Sequence, residues 1–215
     1  MFKGQLVRSF GGPDGNMRQI YDDGTHLWVV GQTNQALYLL EYDGTIVKSW
    51  ALPGTTGGAF FEITDERGES QGFLHTNLGT LQLYHFDPKS GVFSLLGVLP
   101  DAPGLAIGGH WLGNGLFAIN GGSVEPQKLT IYKLKTLTAV KQISGLNIRR
   151  GMGYDGRHIF CCSIADADLK QIDPMTGVII KAWSLTGALA QQGFHMGPIY
   201  GWGTQNSGTL INQFI

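Results

Sequence analysis

The sequence is poor in charge, holds almost no cysteine and lacks long apolar runs. Charged residues make up 14% of its 215 positions, where about 25% is usual in soluble proteins. Lys plus Arg is 15 and Asp plus Glu is 16, a formal net charge of −1. A nucleic-acid groove needs a basic stripe that displaces phosphate counterions, and only Arg149–Arg150 sets two basic residues side by side. Nucleic acid is therefore excluded as a partner. The 2 cysteines are neighbours, Cys161 and Cys162. Adjacent residues of a strand point to opposite faces, which rules out an ordinary disulfide between them. A disulfide framework and a Cys-based zinc site are excluded with it. No apolar run approaches the roughly 20 residues of a membrane helix. Met1-Phe2-Lys3-Gly4 leads into a strand-like pattern without the apolar core of a secretory signal. The expectation is a protein made in a reducing cytoplasm with no membrane partner; incorporation into a virion is compatible with that. Helical periodicity is scarce too. Only Leu185–Gln192 suggests it, and Gly187 interrupts it.

What the chain has instead is glycine, 33 residues of it, and short alternating runs separated by turn residues. That combination reads as all-β. Tyr21–Gly54 and Gly153–Gly187 are two copies of one unit. Each has an Asp-Gly turn, a hydrophobic strand, a second strand, another turn, and a strand ending in Lys-x-Trp-x-Leu. Two weaker copies lie between them, Phe60–Leu99 and Leu105–Ile143, and a fifth begins at Phe194 with one strand too few. The missing strand lies at the other end of the chain. Phe2–Gly12 aligns with Tyr42–Gly54, so that Arg8 matches Lys48 and Phe10 matches Trp50. The landmark recurs at Phe10, Trp50, Gly97, Ile143 and Trp183. The step from Trp183 through the C-terminus to Phe10 falls within the range of the others. A closed ring explains that spacing, because an open one would leave an unpaired strand edge and two unburied blade faces. The expected fold is a single five-bladed β-propeller over residues 1–215, blade five closed by the N-terminal strand. Asp23-Gly24 and Asp43-Gly44 suggest tight type I′ hairpins. Asp87–Gly91 and Asp173–Gly177 suggest longer Pro-containing loops.

The phrases YDGRHIF and IDPMTGVIIKAW resemble β-propeller repeats of the NHL and YncE kind, over nearly the whole chain. The Tyr154-Asp155-Gly156 phrase and the five-blade count resemble the plant-type glutamine cyclotransferases. That resemblance implies a Glu-Ser-Thr-Gly run on early strands for acid–base work on a terminal amine. The matching positions here are Val30-Gly31 and Cys162-Ser163, which carry no carboxylate.

Several short motifs invite chemistry and are better read as structure. Gly151-Met152-Gly153-Tyr154-Asp155-Gly156 matches G-x-G-x-x-G, but a strand follows where a dinucleotide site needs a helix. Asp22-Asp23 and Asp166-x-Asp168 fall at turns and lack the other oxygens a calcium ion takes. His26 and His158 each follow an Asp-Gly turn at equivalent places, which argues for a scaffold role. No cofactor and no metal site is expected.

The first strand of each blade should line the central channel. Those strands include Met17–Gln19, Phe61–Ile63, Ala106–Gly108, Arg149–Gly151 and Phe194–Met196. Arg18 and Arg150 align, each six residues before the glycine of its Asp-Gly turn. They and Glu62 and His195 form the candidate ligand site at the channel mouth. Glu62 is expected to pair with the arginines unless an external anion does. The function expected first is a non-catalytic structural or protein-interaction module, its partner another protein or a larger assembly. The alternative is a small enzyme or small-anion binder at the channel mouth. There Arg18 and Arg150 would hold the anion and Glu62 or His195 would act as acid or base.

Overall fold

The computed structural model describes residues 5–54, 57–64, 70–78, 80–100, 106–121, 127–148, 150–163, 168–185, 191–196, 200–205 and 209–215. Among the described residues there are twenty strands and no helix. The sequence-based expectation of a faint helix over Leu185–Gln192 falls partly outside the described residues, and its last two residues begin a strand.

The strands form five antiparallel four-stranded sheets, each a blade. Blade one is β2 (Met17–Asp22), β3 (Leu27–Gly31), β4 (Ala36–Leu40) and β5 (Ile46–Ala51). Blade two is β6 (Gly57–Thr64), β7 (Ser70–Leu78), β8 (Thr80–Asp87) and β9 (Val92–Val98). Blade three is β10 (Ala106–Gly113), β11 (Leu116–Gly121), β12 (Lys128–Lys133) and β13 (Thr138–Ser144). Blade four is β14 (Arg150–Tyr154), β15 (Ile159–Cys162), β16 (Asp168–Ile172) and β17 (Ile179–Ser184). Blade five is β18 (Gln191–Met196), β19 (Gly201–Gln205), β20 (Leu210–Phe214) and, as its outer strand, β1 (Leu6–Gly11). β1 pairs with β20 from Leu6 opposite Phe214 to Gly11 opposite Leu210. The ring is therefore a closed five-bladed β-propeller, sealed by the N-terminal strand.

Each hydrophobic cluster lies between two blades, which is why the ring must close. Blades one and two share Trp28, Val30 and Leu37 with Phe60, Tyr84 and Phe86. Blades five and one share Trp202 and Ile211 with Met17, Ile20 and Val29, with Phe10 against them. An open ring would leave two such faces in water, at roughly 1.5–3 kcal/mol for each large side chain exposed. The aromatic landmarks pack at these seams. Trp50 stacks on Trp28 with ring centroids 5.5 Å apart, Trp183 on Phe160 at 6.0 Å, and Phe10 meets the edge of Trp202 at 6.1 Å.

The turns differ from expectation in one respect. At Asp23-Gly24 and Asp43-Gly44 only the glycine has positive φ, +90° and +93°. The loops are longer than a two-residue hairpin because the aspartate side chain folds back onto them. Asp23 Oδ1 accepts the Thr25 and His26 amides, and Asp43 Oδ1 accepts the Thr45 amide. A two-residue turn with both φ positive occurs instead at Asn114-Gly115, φ 52° and 74°. The Asp-Pro loops do close as expected, through Gly91 N–H to Asp87 C=O and Gly177 N–H to Asp173 C=O.

The glycines of the G-x-G-x-x-G match have separate duties. Gly151 is the extra residue of a bulge between Arg150 and Met152. Gly153 lets β14 approach β18, since a Cβ there would come within 2.5 Å of the Met196 amide nitrogen. Gly156 sits in the turn at φ +91°. Cys161 and Cys162 both lie fully buried on opposite faces of β15, one against blade three and one against blade five. Burial pushes the Cys161 thiol up to about 12 and Cys162 well above its ordinary value, so neither is a thiolate at neutral pH.

Candidate axial site

The first strands β2, β6, β10, β14 and β18 line the axis. They come close across it: residues of β2 and β14, which are not neighbours in the ring, approach within 8 Å from Cα to Cα. The four candidate residues all lie on these strands, yet at two levels. Arg18 and Arg150 stand where β2 and β14 begin, while Glu62 and His195 stand near where β6 and β18 end. The strands run the same way, at about 3.3 Å per residue, so the two levels are about 10 Å apart. Arg149 lies outside the described residues.

The assumed alignment slipped for a physical reason. Blades two and five have no Asp-Gly turn to mark their first hairpin, and the inner strands carry bulges that local sequence does not announce. Even the two arginines differ by one step. The bulge of β2 falls on Arg18, between Met17 and Gln19, whereas that of β14 falls on Gly151, just after Arg150. Arg18 is half-buried, and loss of solvent lowers its pKa.

Cross-strand partners set the true level. Tyr21, Phe61, His110, Gly153 and His195 stand opposite Trp28, Phe73, Ala118, Phe160 and Trp202, one from each blade. Three of them converge. The His110 and His195 rings stack with centroids 5.2 Å apart, and the Tyr21 ring stands edge-on to His195 at 4.9 Å. Glu62 joins from blade two: its backbone amide bonds to the Tyr21 oxygen. Burial, then the Glu62 charge, raises the Tyr21 pKa. Sequence reasoning placed His195 and Glu62 on the axis but used neither His110 nor Tyr21.

The hydrogen bonds fix the histidine tautomers. His110 Nδ1 lies 2.9 Å from the Trp111 carbonyl, which can only accept, so Nδ1 carries the proton. Both rings are neutral at pH 7. Burial lowers His110 to about 4; burial, then the neighbouring His110, lowers His195 well below its usual range. His110 Nε2 is then an acceptor, and His195 Nδ1, 3.2 Å away, must donate to it. That leaves a lone pair on His195 Nε2, the atom of a general base.

Gln19 sits one step toward the arginines. Its Nε2 donates to the Met152 carbonyl at 2.8 Å and the Phe194 carbonyl at 3.1 Å, so one amide ties blades one, four and five at the axis. Two carbonyl partners fix which end is the NH₂ group. Its fully buried Oε1 faces no donor among the described residues. A buried acceptor left this way costs roughly 1–3 kcal/mol and calls for an explanation.

Other polar groups settle into structure. Asp23 Oδ2 accepts the Trp28 indole N–H at 2.8 Å, and Asp22 accepts the Trp202 indole, the Tyr42 hydroxyl and the Gly24 amide. His26 and His158 repeat one contact, each with the turn aspartate three residues before it. Asp166 lies outside the described residues. A cavity of about 420 Å³ opens at the seam of blades five and one, beside Arg8, Asp22, Tyr42 and Trp202. Its polar walls bond one another, with Arg8 Nε on Gln213 Oε1 at 2.7 Å.

No family model and no curated protein matches the chain. A solved structure does, the glutaminyl cyclase of Myxococcus xanthus. The TM-score is 0.74 at 12% identity, over 98% of this chain and 94% of that one. That neighbour is an enzyme. The likeness fixes the fold, and it overturns the expectation of a non-catalytic structural or interaction module. That expectation rested on a propeller being rigid without a cofactor and exposing two loop-rich faces. The same frame serves catalysis in the neighbour, so the fold gives no ground for a non-catalytic role.

Proposed function

We propose that this chain is a small enzyme with an acid–base centre on the propeller axis. His195 Nε2 is the base and Glu62 the second proton-transfer group. The observation that carries this is the convergence of Tyr21, Glu62, His110 and His195 from four blades, with the His110–His195 bond leaving a lone pair on His195. His110 and Tyr21 are positioning residues. The substrate class is a small molecule or peptide end with a free amine.

The fold neighbour suggests the first reaction to try, cyclisation of an N-terminal glutaminyl residue. The α-amine nitrogen bonds to the side-chain amide carbon, and the bond from that carbon to its NH₂ group breaks. One proton passes from the amine, by way of the base, to the departing nitrogen, which leaves as ammonia. The plant-type positions Val30-Gly31 and Cys162-Ser163 have no carboxylate for this, so the proton transfer falls to His195 and Glu62.

The test is ammonia release and mass loss from glutaminyl peptides, with other small amides and esters alongside. Turnover that falls about 10²–10⁴-fold in His195→Asn and in Glu62→Gln, with the fold intact, supports the reading. Turnover unchanged in both variants would sink it, as would no turnover on any substrate.

Arg18 and Arg150 support a second, subordinate role. Two guanidiniums at one end of the channel, Arg18 partly desolvated, suit a small anion. Saturable stabilisation by sulfate or phosphate, lost in the double variant Arg18→Ala plus Arg150→Ala, is the expected result.

A further inference from the structure

The outer strands of the blades offer an internal control, because the same element occurs five times. β1, β5, β13 and β17 share one design. Each has a bulge at an apolar residue, Val7, Val47, Val140 and Ile180, and then a straight run of four paired residues that opens with a cation. The cations are Arg8, Lys48, Lys141 and Lys181. Three of them fold over the aromatic ring two residues on. Lys48 Nζ lies 4.9 Å from the Trp50 ring centre, Lys181 Nζ 4.9 Å from Trp183, and Arg8 5.5 Å from Phe10. Lys141 Nζ instead donates to the Met175 carbonyl of the next blade. A cation and a bulge are devices that keep a free sheet edge from pairing with another chain.

β9 departs from this design. Its sequence, VFSLLGV, holds no charged residue. Its straight run, Val92–Leu95, comes before the bulge rather than after it, pairing Val92 with Asp87, Phe93 with Phe86, Ser94 with His85 and Leu95 with Tyr84. The strand lies at the outer edge of its sheet. Val92 and Leu95 are each 53% exposed, Leu96 46% and Val98 51%. One of five equivalent edges thus carries no cation, and its straight run Val92–Leu95 precedes its bulge.

We propose that β9 is a self-docking edge: two copies of this chain pair β9 with β9, antiparallel about a two-fold axis, joining two blades into one eight-stranded sheet. The occupant is a second copy because, among the described outer strands, only β9 lacks a cation and so matches itself. Pairing β9 with β1, β5, β13 or β17 would set that strand's cation beside an apolar residue with no opposite charge across the new pair. Pairing β9 with itself sets only apolar residues and Ser94 beside one another. A two-fold contact also uses the edge up, so assembly stops at a dimer. The formal net charge of −1 puts no long-range repulsion in the way. Seven residues on each side make a small interface, so the dimer forms reversibly and with concentration.

The test is sedimentation or light scattering of the full chain over a concentration series. The wild type should rise toward twice the monomer mass. Val92→Lys, which gives the straight run a cation at its start, should stay monomeric at the same concentrations and melt like the wild type in its dilute, monomeric range. Leu95→Lys is a second variant should the first fold poorly. Lys48→Leu, which strips a guard from β5, should form species larger than a dimer. A wild type that is monomeric throughout overturns the proposal and leaves β9 free for an unlike partner. A dimer that survives both lysine variants overturns it in favour of another surface.

Discussion

The axis and the rim of the ring are built from the same repeat and use it in opposite ways. On the rim, four of five outer strands keep one motif, a cation two places before a large apolar residue. At the axis, the five equivalent positions hold four residue types: Tyr21, Phe61, Gly153, and the two histidines His110 and His195. Each rim strand sees only its own blade and one seam, so a solution that works once works again. At the axis five copies meet at one point. Identical large side chains would collide there and identical charges would repel. Symmetry has to break, and the place where it breaks collects the polar groups that can do chemistry.

Removing the rim strand that closes the ring should have the largest effect. Deleting residues 1–10 strips the β20 edge and the half-buried Leu6 and Phe10 from two seams. A loss of roughly 3–5 kcal/mol is expected, with aggregation, in denaturant melts. Val7 adds little to this loss, since as a bulge residue it is exposed rather than buried. A truncated chain that melts like the full one would show that the other four seams suffice.

Acid should act on the axis and spare the rim. His110 is held at about 4 when folded, against about 6.5 in the unfolded chain. As pH falls, the unfolded chain binds the proton first. Stability is therefore full above about pH 6.5, declines between 6.5 and 4, and levels off below. His110 alone accounts for about 3 kcal/mol on that slope, and His195 shifts in the same direction. Melting temperatures across this range should fall more steeply for the wild type than for His110→Asn plus His195→Asn. Equal slopes would mean the pair is hydrated.

Gly153→Ala probes the tightest approach between inner strands. The new methyl group meets Met196 and His195 backbone, which cannot swing aside, and a loss of about 1–3 kcal/mol is expected. A neutral result would show that β14 and β18 have slack. The smallest effect belongs to the rim: Lys181→Met removes one exposed cation–π contact, about 0.5–1 kcal/mol. A larger loss would mean the rim motif is structural rather than a guard.

Reading the chain as a string went far with the rim and the turns. The Phe10, Trp50 and Trp183 landmarks revealed the closing strand, because each sits in a contiguous motif that recurs. The axis was harder. Arg18 and Arg150 look equivalent when counted from Gly24 and Gly156, yet the bulges fall on different residues and set them one step apart. His110 and His195 sit 85 residues apart, in blades whose turns share no landmark, so nothing local links them.

The sequence by itself determined that this chain makes short antiparallel strands, that they come as five units, and that the first strand completes the last unit. Those features depend on period-two patterning, turn chemistry and repetition, all of which are written in neighbouring residues. Only the tertiary structure decided which side chains meet on the axis. That choice depends on where each inner strand bulges and how long each hairpin is, and in a strand a slip of one residue turns every side chain to the other face.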